Sequence, residues 1–264
     1  MSGNPQWADL APRLISAVVM VVVGIVGLWL GGLWFAVGLW ALGGVMMWEL
    51  SRMIGAPDLA TGRAVMLGGL GAGALALASV LPGMTVLPLL IAAAVVGAGQ
   101  MPANRVTYGC FAAATLLACH AMIVLRDVGG LGWILWVICV VVASDVAGYF
   151  AGRTLGGPKF WPAISPKKTW SGTIAGWLGA AVIGLIFAVV LNAGVGLALV
   201  SVAVALAGQM GDIWESWIKR KMGIKDSSNL IPGHGGVLDR FDAMLGAALL
   251  ASLLWALGWI PGLV

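Results

Sequence analysis

Residues 216–242 read SWIKRKMGIKDSSNLIPGHGGVLDRFD and form a dense polar segment in an apolar chain. We call it the motif segment. Its ionisable side chains are Lys219, Arg220, Lys221, Lys225, Asp226, His234, Asp239, Arg240 and Asp242. A charged side chain at the centre of a bilayer costs about 2.5 to 3.5 kcal/mol on insertion scales. We therefore expect the motif segment to meet water, partner charges or a polar ligand.

The composition predicts a polytopic membrane protein. The chain has 264 residues, of which 61% are hydrophobic and only 9% charged, against about 25% charged in soluble proteins. A helix needs about 17 to 25 apolar residues to span a bilayer. We expect an all-α fold and one transmembrane domain over residues 1–264. Nine spans are predicted at about 13–30, 32–50, 64–81, 84–101, 106–125, 130–151, 172–191, 194–218 and 240–258.

The basic residues orient these nine spans. The amino terminus and every second loop then share one side, and only Arg126 falls on the other. Basic residues concentrate on the cytoplasmic side of membrane proteins. The amino terminus is therefore predicted to be cytoplasmic. The residues on that side are Arg13, Arg52, Arg63, Arg105, Arg153, Lys159, Lys167, Lys168, Lys219, Arg220, Lys221, Lys225 and Arg240.

The motif segment has the residue types of a phosphate-handling site. Carboxylates can hold Mg²⁺, which takes one or two of them together with phosphate oxygens. Lysine and arginine can neutralise phosphate charge, and the glycines of 232–236 allow backbone N–H groups to approach an anion closely. Asp239 and Asp242 would lie on one face of a helix that begins there. Helix capping is the competing interpretation for either aspartate.

A second polar segment precedes it, at residues 144–172. Asp145, Tyr149 and Gly152 recur at helical spacing and predict a polar face toward a wet cavity. The loop 156–169 that follows is expected to present basic side chains. Lys159, Lys167 and Lys168 belong to this loop.

The predicted eighth span ends in a polar face of its own. Asp212, Glu215, Ser216 and Lys219 are spaced i, i+3, i+4 and i+7. Asp212 would lie about one turn inside the membrane boundary, where a charge needs a counterion. It is therefore a candidate metal ligand or ion-pair partner. Membrane anchoring remains the alternative for Lys219 and Arg220.

The motif segment resembles the signature of the phosphatidate cytidylyltransferases, the CDP-diacylglycerol synthases. The matching pattern is S-x-hydrophobic-K-R-x4-K-D-x-small-x2-hydrophobic-P-x-H-G-G-hydrophobic-x-D-R-hydrophobic-D, and every fixed position is met between Ser216 and Asp242. Upstream, Ser165-Pro166-Lys167-Lys168-Thr169 resembles the S-P-x-K-T segment of that family. At Ser171, members of the family commonly carry Glu, which leaves an acidic role there in doubt.

The resemblance implies that CTP and phosphatidate react to give CDP-diacylglycerol and pyrophosphate with Mg²⁺, on the cytoplasmic side of the inner cell membrane. It implies metal ligation by Asp212, Asp239 and Asp242, and catalytic roles for Lys225, Asp226, Asp239 and Arg240. Substrate binding is expected from Ser165, Lys167, Lys168, Thr169, Lys219, Arg220, His234, Gly235 and Gly236. No nucleic-acid partner is expected, whereas a second cation and a homodimer stay open. Segments 144–172 and 208–242 are expected to converge at one pocket.

Two alternatives remain. A CTP-dependent lipid-alcohol kinase would use the same residue types but transfer the γ-phosphate. A transporter would use Asp145 and Asp212 as intramembrane ion sites. A transporter predicts charges distributed along a path across the membrane, whereas the charges here gather at one predicted face.

Overall fold

The structure is a computed structural model that describes residues 10–263, and it is almost entirely helical, as predicted. Within these residues the chain forms nine α-helices, one short π-helix and one β-hairpin. The α-helices are α1 (Leu10–Leu30), α2 (Gly32–Gly55), α3 (Thr61–Ala78), α4 (Gly83–Gly99), α5 (Arg105–Val124), α6 (Leu131–Thr154), α7 (Trp170–Val190), α8 (Leu197–Lys221) and α9 (Leu238–Ala256). The π-helix is Leu125–Gly129, and the hairpin pairs β1 (Lys159–Trp161) with β2 (Ser165–Thr169).

Seven helices in the described part of the chain are long and apolar enough to cross a membrane. They confirm the prediction of a polytopic membrane protein. Helix α4 is apolar but has only 17 residues, and α9 carries Asp239, Arg240 and Asp242 in its first turns. A total of nine spans and a cytoplasmic amino terminus stay predictions.

The helix boundaries follow the bounds of the predicted spans closely. Gly31, Asn192 and Gly194 have positive φ angles of 62°, 52° and 76° and separate consecutive helices. The largest difference is at the end of α2, which continues to Gly55 instead of stopping near residue 50. Charged Arg52 interrupts the apolar run but not the helix, because a basic side chain in the last turn interacts favourably with the helix dipole.

The segment expected to be a loop contains the β-hairpin. Its antiparallel strands pair Lys159 with Thr169 and Trp161 with Ser165. The Phe160 and Trp170 rings meet edge to face, with centroids 4.7 Å apart. Strands this short, one of which contains a proline, show no alternating pattern in sequence.

The described chain divides into two compact units. The first consists of the residues up to Ile123 together with Lys221–Phe241, and the second of Val124–Arg220 together with the residues from Asp242 on. The expectation of one transmembrane domain over the whole chain stays a prediction. The boundary passes through the motif segment, which contributes residues 221–241 to the first unit and residues 216–220 and 242 to the second.

Small residues allow close helix packing within each unit, as the many glycines predict. In the first unit, a Cβ atom added to Gly44 of α2 would lie 2.9 Å from the carbonyl oxygen of Gly68 of α3. In the second, a Cβ on Gly148 of α6 would lie 3.2 Å from the carbonyl oxygen of Gly172 of α7. Real Cβ contacts are rarely so short, so glycine is needed at both crossings.

Candidate active site

The second unit contains a cavity of about 440 Å³ beside α6, β2, α7 and α8. The polar side chains and glycines predicted on one face of α6 line it, as do the end of β2 and the first turn of α7. The lining residues are Ser144, Asp145, Gly148, Tyr149, Gly152, Arg153, Lys167, Lys168, Thr169, Gly172, Thr173 and Gln209. The cavity therefore brings together Asp145 and three of the four predicted substrate-binding residues of the hairpin, namely Lys167, Lys168 and Thr169.

An ion pair joins the two predicted segments in this unit. Lys168 Nζ lies 2.6 Å from Asp212 Oδ2, and both side chains remain partly exposed, at 25% and 32%. Asp212 Oδ1 also accepts a hydrogen bond of 3.2 Å from Ser216 Oγ. Asp212 thus has the counterion that its position in α8 requires.

Three carboxylates act on one another here. Asp145 interacts electrostatically with Asp212 and Lys168, and Asp242 interacts with Asp212, Lys219 and Asp145. A close approach of α8 to α9 contributes, because a Cβ atom on Gly211 would lie 3.1 Å from the backbone nitrogen of Gly246. Segments 144–172 and 208–220 therefore converge with Asp242 within this unit, and convergence with residues 221–241 stays a prediction.

The donor set of this cluster suits a hard cation. In the part of the chain that the structure describes, no group of three or more His, Cys, Asp or Glu side chains is arranged to hold a metal ion. Mg²⁺ does not require such a group, since it commonly binds one or two carboxylates and completes its shell with water and substrate phosphate. The partly exposed carboxylate of Asp212 fits that requirement.

Lys219 and Glu215 form a buried ion pair instead of lining the cavity. Lys219 Nζ lies 2.5 Å from Glu215 Oε2, and the Glu215 side chain has no solvent exposure. Removing one partner of such a pair leaves an uncompensated buried charge, which costs several kcal/mol. Arg220, the next residue, is exposed at the end of α8.

Gln209 is a cavity residue that the sequence analysis missed. Its Nε2 donates a hydrogen bond of 3.2 Å to Ser144 Oγ, and its Oε1 accepts one of 3.1 Å from Trp177 Nε1. These partners fix the orientation of the carboxamide. A polar amide inside an apolar span was the available signal, because a buried amide needs partners.

Thr169 is the N-cap residue of helix α7. Its side-chain oxygen accepts a hydrogen bond of 3.2 Å from the Gly172 backbone nitrogen, as an N-cap residue does. Ser171 donates a hydrogen bond to the Gly156 carbonyl oxygen and lies 3.0 Å from Thr169 Oγ1. At this position, where the family commonly carries Glu, the serine ties the start of the hairpin segment to α7.

We expect Thr169→Val to destabilise the protein by about 1 kcal/mol, because valine keeps the shape but cannot accept the bond from Gly172. Thermal unfolding in detergent, followed by intrinsic tryptophan fluorescence, would measure the change. Thr169→Ser is the matched control, since serine caps equally well. A Val variant as stable as the Ser variant would contradict the capping role.

In the first unit, Asp239 binds the loop that precedes α9. Its Oδ2 accepts hydrogen bonds from the Ser227 backbone nitrogen at 2.9 Å, from Ser227 Oγ at 2.9 Å and from the Gly236 backbone nitrogen at 2.8 Å. Asp239 therefore lies in the first turn of α9 and reaches back to the N–H group of Gly236, as the acidic residue of a capping box does, and it is not itself the N-cap residue. A role in metal binding stays a prediction.

Residues 231–235 form a turn, the glycine turn, that is held by backbone hydrogen bonds between its own residues. Ile231 donates from its backbone nitrogen to the Gly235 carbonyl oxygen at 2.8 Å, and His234 donates to the Ile231 carbonyl oxygen at 2.9 Å. Gly233 and Gly235 have φ angles of 75° and 81°, which favour glycine. Arg240 Nε donates to the His234 carbonyl oxygen at 3.0 Å, so this predicted residue supports the turn.

Helix α1 contacts the same turn. Ser16 Oγ lies 2.8 Å from His234 Nδ1 and 3.0 Å from the carbonyl oxygens of Pro232 and Arg13. A hydroxyl has one proton, and a carbonyl oxygen can only accept. When Ser16 donates to either carbonyl, His234 must donate from Nδ1 to it. No sequence pattern predicts this contact between residues 218 positions apart.

Lys225 and Asp226 are exposed on this loop. Asp226 lies against the turn, since its Cβ would be 3.5 Å from a Cβ added to Gly235. The structure thus places the predicted residues 225–240 in one loop and helix start. The side chains of Lys225 and Asp226 remain exposed and are accessible to a ligand.

A buried glutamate of α2, Glu49, also contacts this loop and has no solvent exposure. Its carboxylate accepts hydrogen bonds from the Val237 and Leu238 backbone nitrogens at 2.9 and 2.7 Å and from Ser228 Oγ at 2.6 Å. Glu49 was not among the predicted site residues, although a lone carboxylate in the predicted span 32–50 needs a partner.

Comparison with known proteins identifies the family of the chain. The model of a cytidylyltransferase family matches residues 11–257. The chain belongs to the cytidylyltransferase family. This membership confirms the resemblance found in the motif segment and makes the chain an enzyme of the nucleotidyltransferase class.

Relatives within this cytidylyltransferase family extend over most of the chain. A phosphatidate cytidylyltransferase of Brucella suis is 35% identical over 263 residues, covering 95% of this chain and 94% of its own. One of Bacillus subtilis is 31% identical over 260 residues, covering 90% and 94%. One of Helicobacter pylori is 47% identical over a shorter stretch of 128 residues.

Proposed function

We infer that the protein transfers CMP from CTP to phosphatidate, giving CDP-diacylglycerol and pyrophosphate. The observation that carries this inference is the cytidylyltransferase family match over residues 11–257, with full-length relatives named for that activity. The membrane helices suit a lipid substrate, and the polar cavity beside Lys168 and Asp212 suits a phosphorylated one.

The reaction needs positioning and charge neutralisation more than covalent help. A phosphate oxygen of phosphatidate attacks the α-phosphorus of CTP, a new P–O bond forms, and the bond to the β-phosphate oxygen breaks so that pyrophosphate leaves. Negative charge accumulates on phosphate oxygens throughout. Fixed cationic groups in a site of restricted water access stabilise such charge strongly.

Lys167 and Lys168 are the groups that we assign to phosphate binding in the second unit. Both line the cavity, and β2 places them directly before the capped start of α7. Lys168 can exchange Asp212 for a phosphate oxygen, because an ammonium group has three donors on a flexible stem. In the first unit, Lys225 and Arg240 are exposed and have the charge for the same task.

In the second unit, Asp212 and Asp242 are the side chains that we propose to hold Mg²⁺. In the first unit, metal binding by Asp239 stays a prediction of its own. When bound, the ion would neutralise phosphate charge and orient the reacting groups. The mutual interaction of Asp145, Asp212 and Asp242 supports this assignment, because adjacent carboxylates favour a cation. A second cation stays open.

The protein is a membrane protein, and we propose that its site faces the cytoplasm. The charge distribution supports this orientation, because only Arg126 among the basic residues falls on the opposite side of the predicted topology. CTP can then reach the site from the cytoplasm, and phosphatidate can enter from the cytoplasmic leaflet of the membrane. The bacterial relatives favour the inner membrane as the location.

Base selection and metal dependence test this proposal together. The purified protein in phosphatidate-containing micelles would be incubated with CTP, UTP, ATP or GTP, with and without a chelator. We expect pyrophosphate release with CTP and Mg²⁺, and at least about a 100-fold loss with any other nucleotide or with chelator. Equal turnover of all four nucleotides would contradict the assignment, and chelator-resistant turnover would contradict the metal role.

A further inference from the structure

We propose that Glu49 is a positioning residue of the CMP-transfer site, acting on the glycine turn and on Asp239 through the start of α9. This inference rests on the proposed function. Glu49 lies far from the motif segment in sequence and was not among the predicted site residues.

The geometry of the carboxylate is the first argument. Glu49 Oε1 accepts from the Val237 backbone nitrogen at 2.9 Å, and Oε2 accepts from that of Leu238 at 2.7 Å. Each oxygen therefore holds a different backbone donor at the helix start. An anion is stabilised at this position by the N–H groups and by the helix dipole.

The second argument is that two carboxylates share this helix start. The backbone nitrogen of Gly236 donates to Asp239 Oδ2 at 2.8 Å, directly before the two that donate to Glu49. Ser227 Oγ lies 2.9 Å from Asp239 Oδ2 and 3.4 Å from Glu49 Oε2. Displacing the Glu49 carboxylate would therefore displace the groups that orient Asp239.

Burial is the third argument. Glu49 has no solvent exposure in α2, so it cannot itself contact a substrate in this conformation. A buried carboxylate is expensive unless charge-assisted hydrogen bonds offset its desolvation. Gly236 fits this arrangement, because a Cβ atom there would lie 2.6 Å from Glu49 Oε1. The loop is thus shaped around the carboxylate.

Glu49→Gln separates this role from simple packing. Glutamine has the same size, but its amide offers one acceptor oxygen, so either Val237 or Leu238 must face an NH₂ donor. We expect kcat to fall about 100-fold with KM for CTP changed less than about threefold, because a small displacement of positioning groups costs rate more than binding. Amide hydrogen exchange of residues 226–238 should accelerate about tenfold or more.

Ser51→Ala is the matched control. Ser51 is also fully buried in α2, but it bonds the Met47 carbonyl oxygen and Tyr108 Oη and not the loop. We expect this variant to be less stable, yet to keep its kcat within about twofold and the exchange of residues 226–238 unchanged. A purely structural role for Glu49 predicts that Glu49→Gln behaves like Ser51→Ala, with lower stability but nearly unchanged kcat and hydrogen exchange.

A second variant decides the case if Glu49→Gln does not fold. Ser228→Ala removes the 2.6 Å hydrogen bond to Glu49 Oε1 and leaves the carboxylate in place. We expect about a fivefold loss of kcat and faster exchange in the same loop. Wild-type kcat and wild-type exchange in the folded variant would overturn the proposal. If the wild-type protein transferred no CMP, the proposed function would fail, while the exchange measurement would still test the role of Glu49.

Discussion

Asp212→Asn is expected to reduce CMP transfer at least about 1,000-fold while the protein stays folded. Asparagine keeps the size of the side chain but removes the charge that pairs with Lys168 and that we assign to Mg²⁺. Metal stabilisation of developing phosphate charge is worth several kcal/mol, and each 1.36 kcal/mol is a factor of about ten in rate. Initial rates of pyrophosphate release at saturating CTP and phosphatidate would measure the loss.

Asp58→Asn is the control for this experiment, because Asp58 is exposed in the turn after α2 and belongs to neither candidate segment. Its rate should equal that of the wild type. The metal can be tested separately by titrating Mg²⁺ against intrinsic tryptophan fluorescence, where Asp212→Asn should weaken the response. Near-normal turnover by Asp212→Asn would remove Asp212 from the site.

Asp239→Asn has the second large expected effect, and it separates two roles of one carboxylate. Asp239 Oδ2 accepts all three hydrogen bonds at the start of α9, and the side-chain oxygen of asparagine can accept the same bonds. The variant should therefore keep the thermal stability of the wild type. If the charge is needed for metal binding, CMP transfer should still fall about 100-fold or more.

Asp239→Ala completes this comparison, because alanine removes the cap as well as the charge. We expect it to lose activity and also about 1 to 2 kcal/mol of stability. Asparagine and alanine variants with equal activity but different stability would support both roles. An asparagine variant with wild-type activity would leave Asp239 with capping alone.

The sequence predicted the helices well because hydropathy and charge act locally along the chain. The length of the apolar runs located all nine α-helices of the described chain. The end of α2 was placed too early, because hydropathy drops at Arg52 although the backbone continues as a helix. The hairpin was missed because β1 has only three residues, too few to show an alternating pattern.

The candidate site was predicted where spacing within one element decided it. Asp145, Tyr149 and Gly152 share a face of α6, and the cavity lies along it. The pairing of Lys168 with Asp212 over 44 positions confirms that the two segments meet, but spacing alone could not identify the partners. Contacts such as Ser16 with His234, or Glu49 with Leu238, depend on tertiary packing.

Lys219 shows the limit of reading roles from a motif position. The motif assigned it to substrate binding, and the structure places its ammonium beside buried Glu215. The i, i+4 spacing of the two residues was visible in sequence. The burial that makes this pair tight depends on neighbouring helices, which the sequence does not reveal.

The most direct test of the proposed reaction uses CTP that is labelled at one of two phosphorus positions. CTP carrying radioactive phosphorus at either the α or the γ position would be incubated with phosphatidate and Mg²⁺, and the lipid would be separated from water-soluble products. The account predicts α label in the lipid and γ label in soluble pyrophosphate. Transfer of γ label to a lipid alcohol would indicate a kinase, and absence of α label from the lipid would contradict cytidylyl transfer.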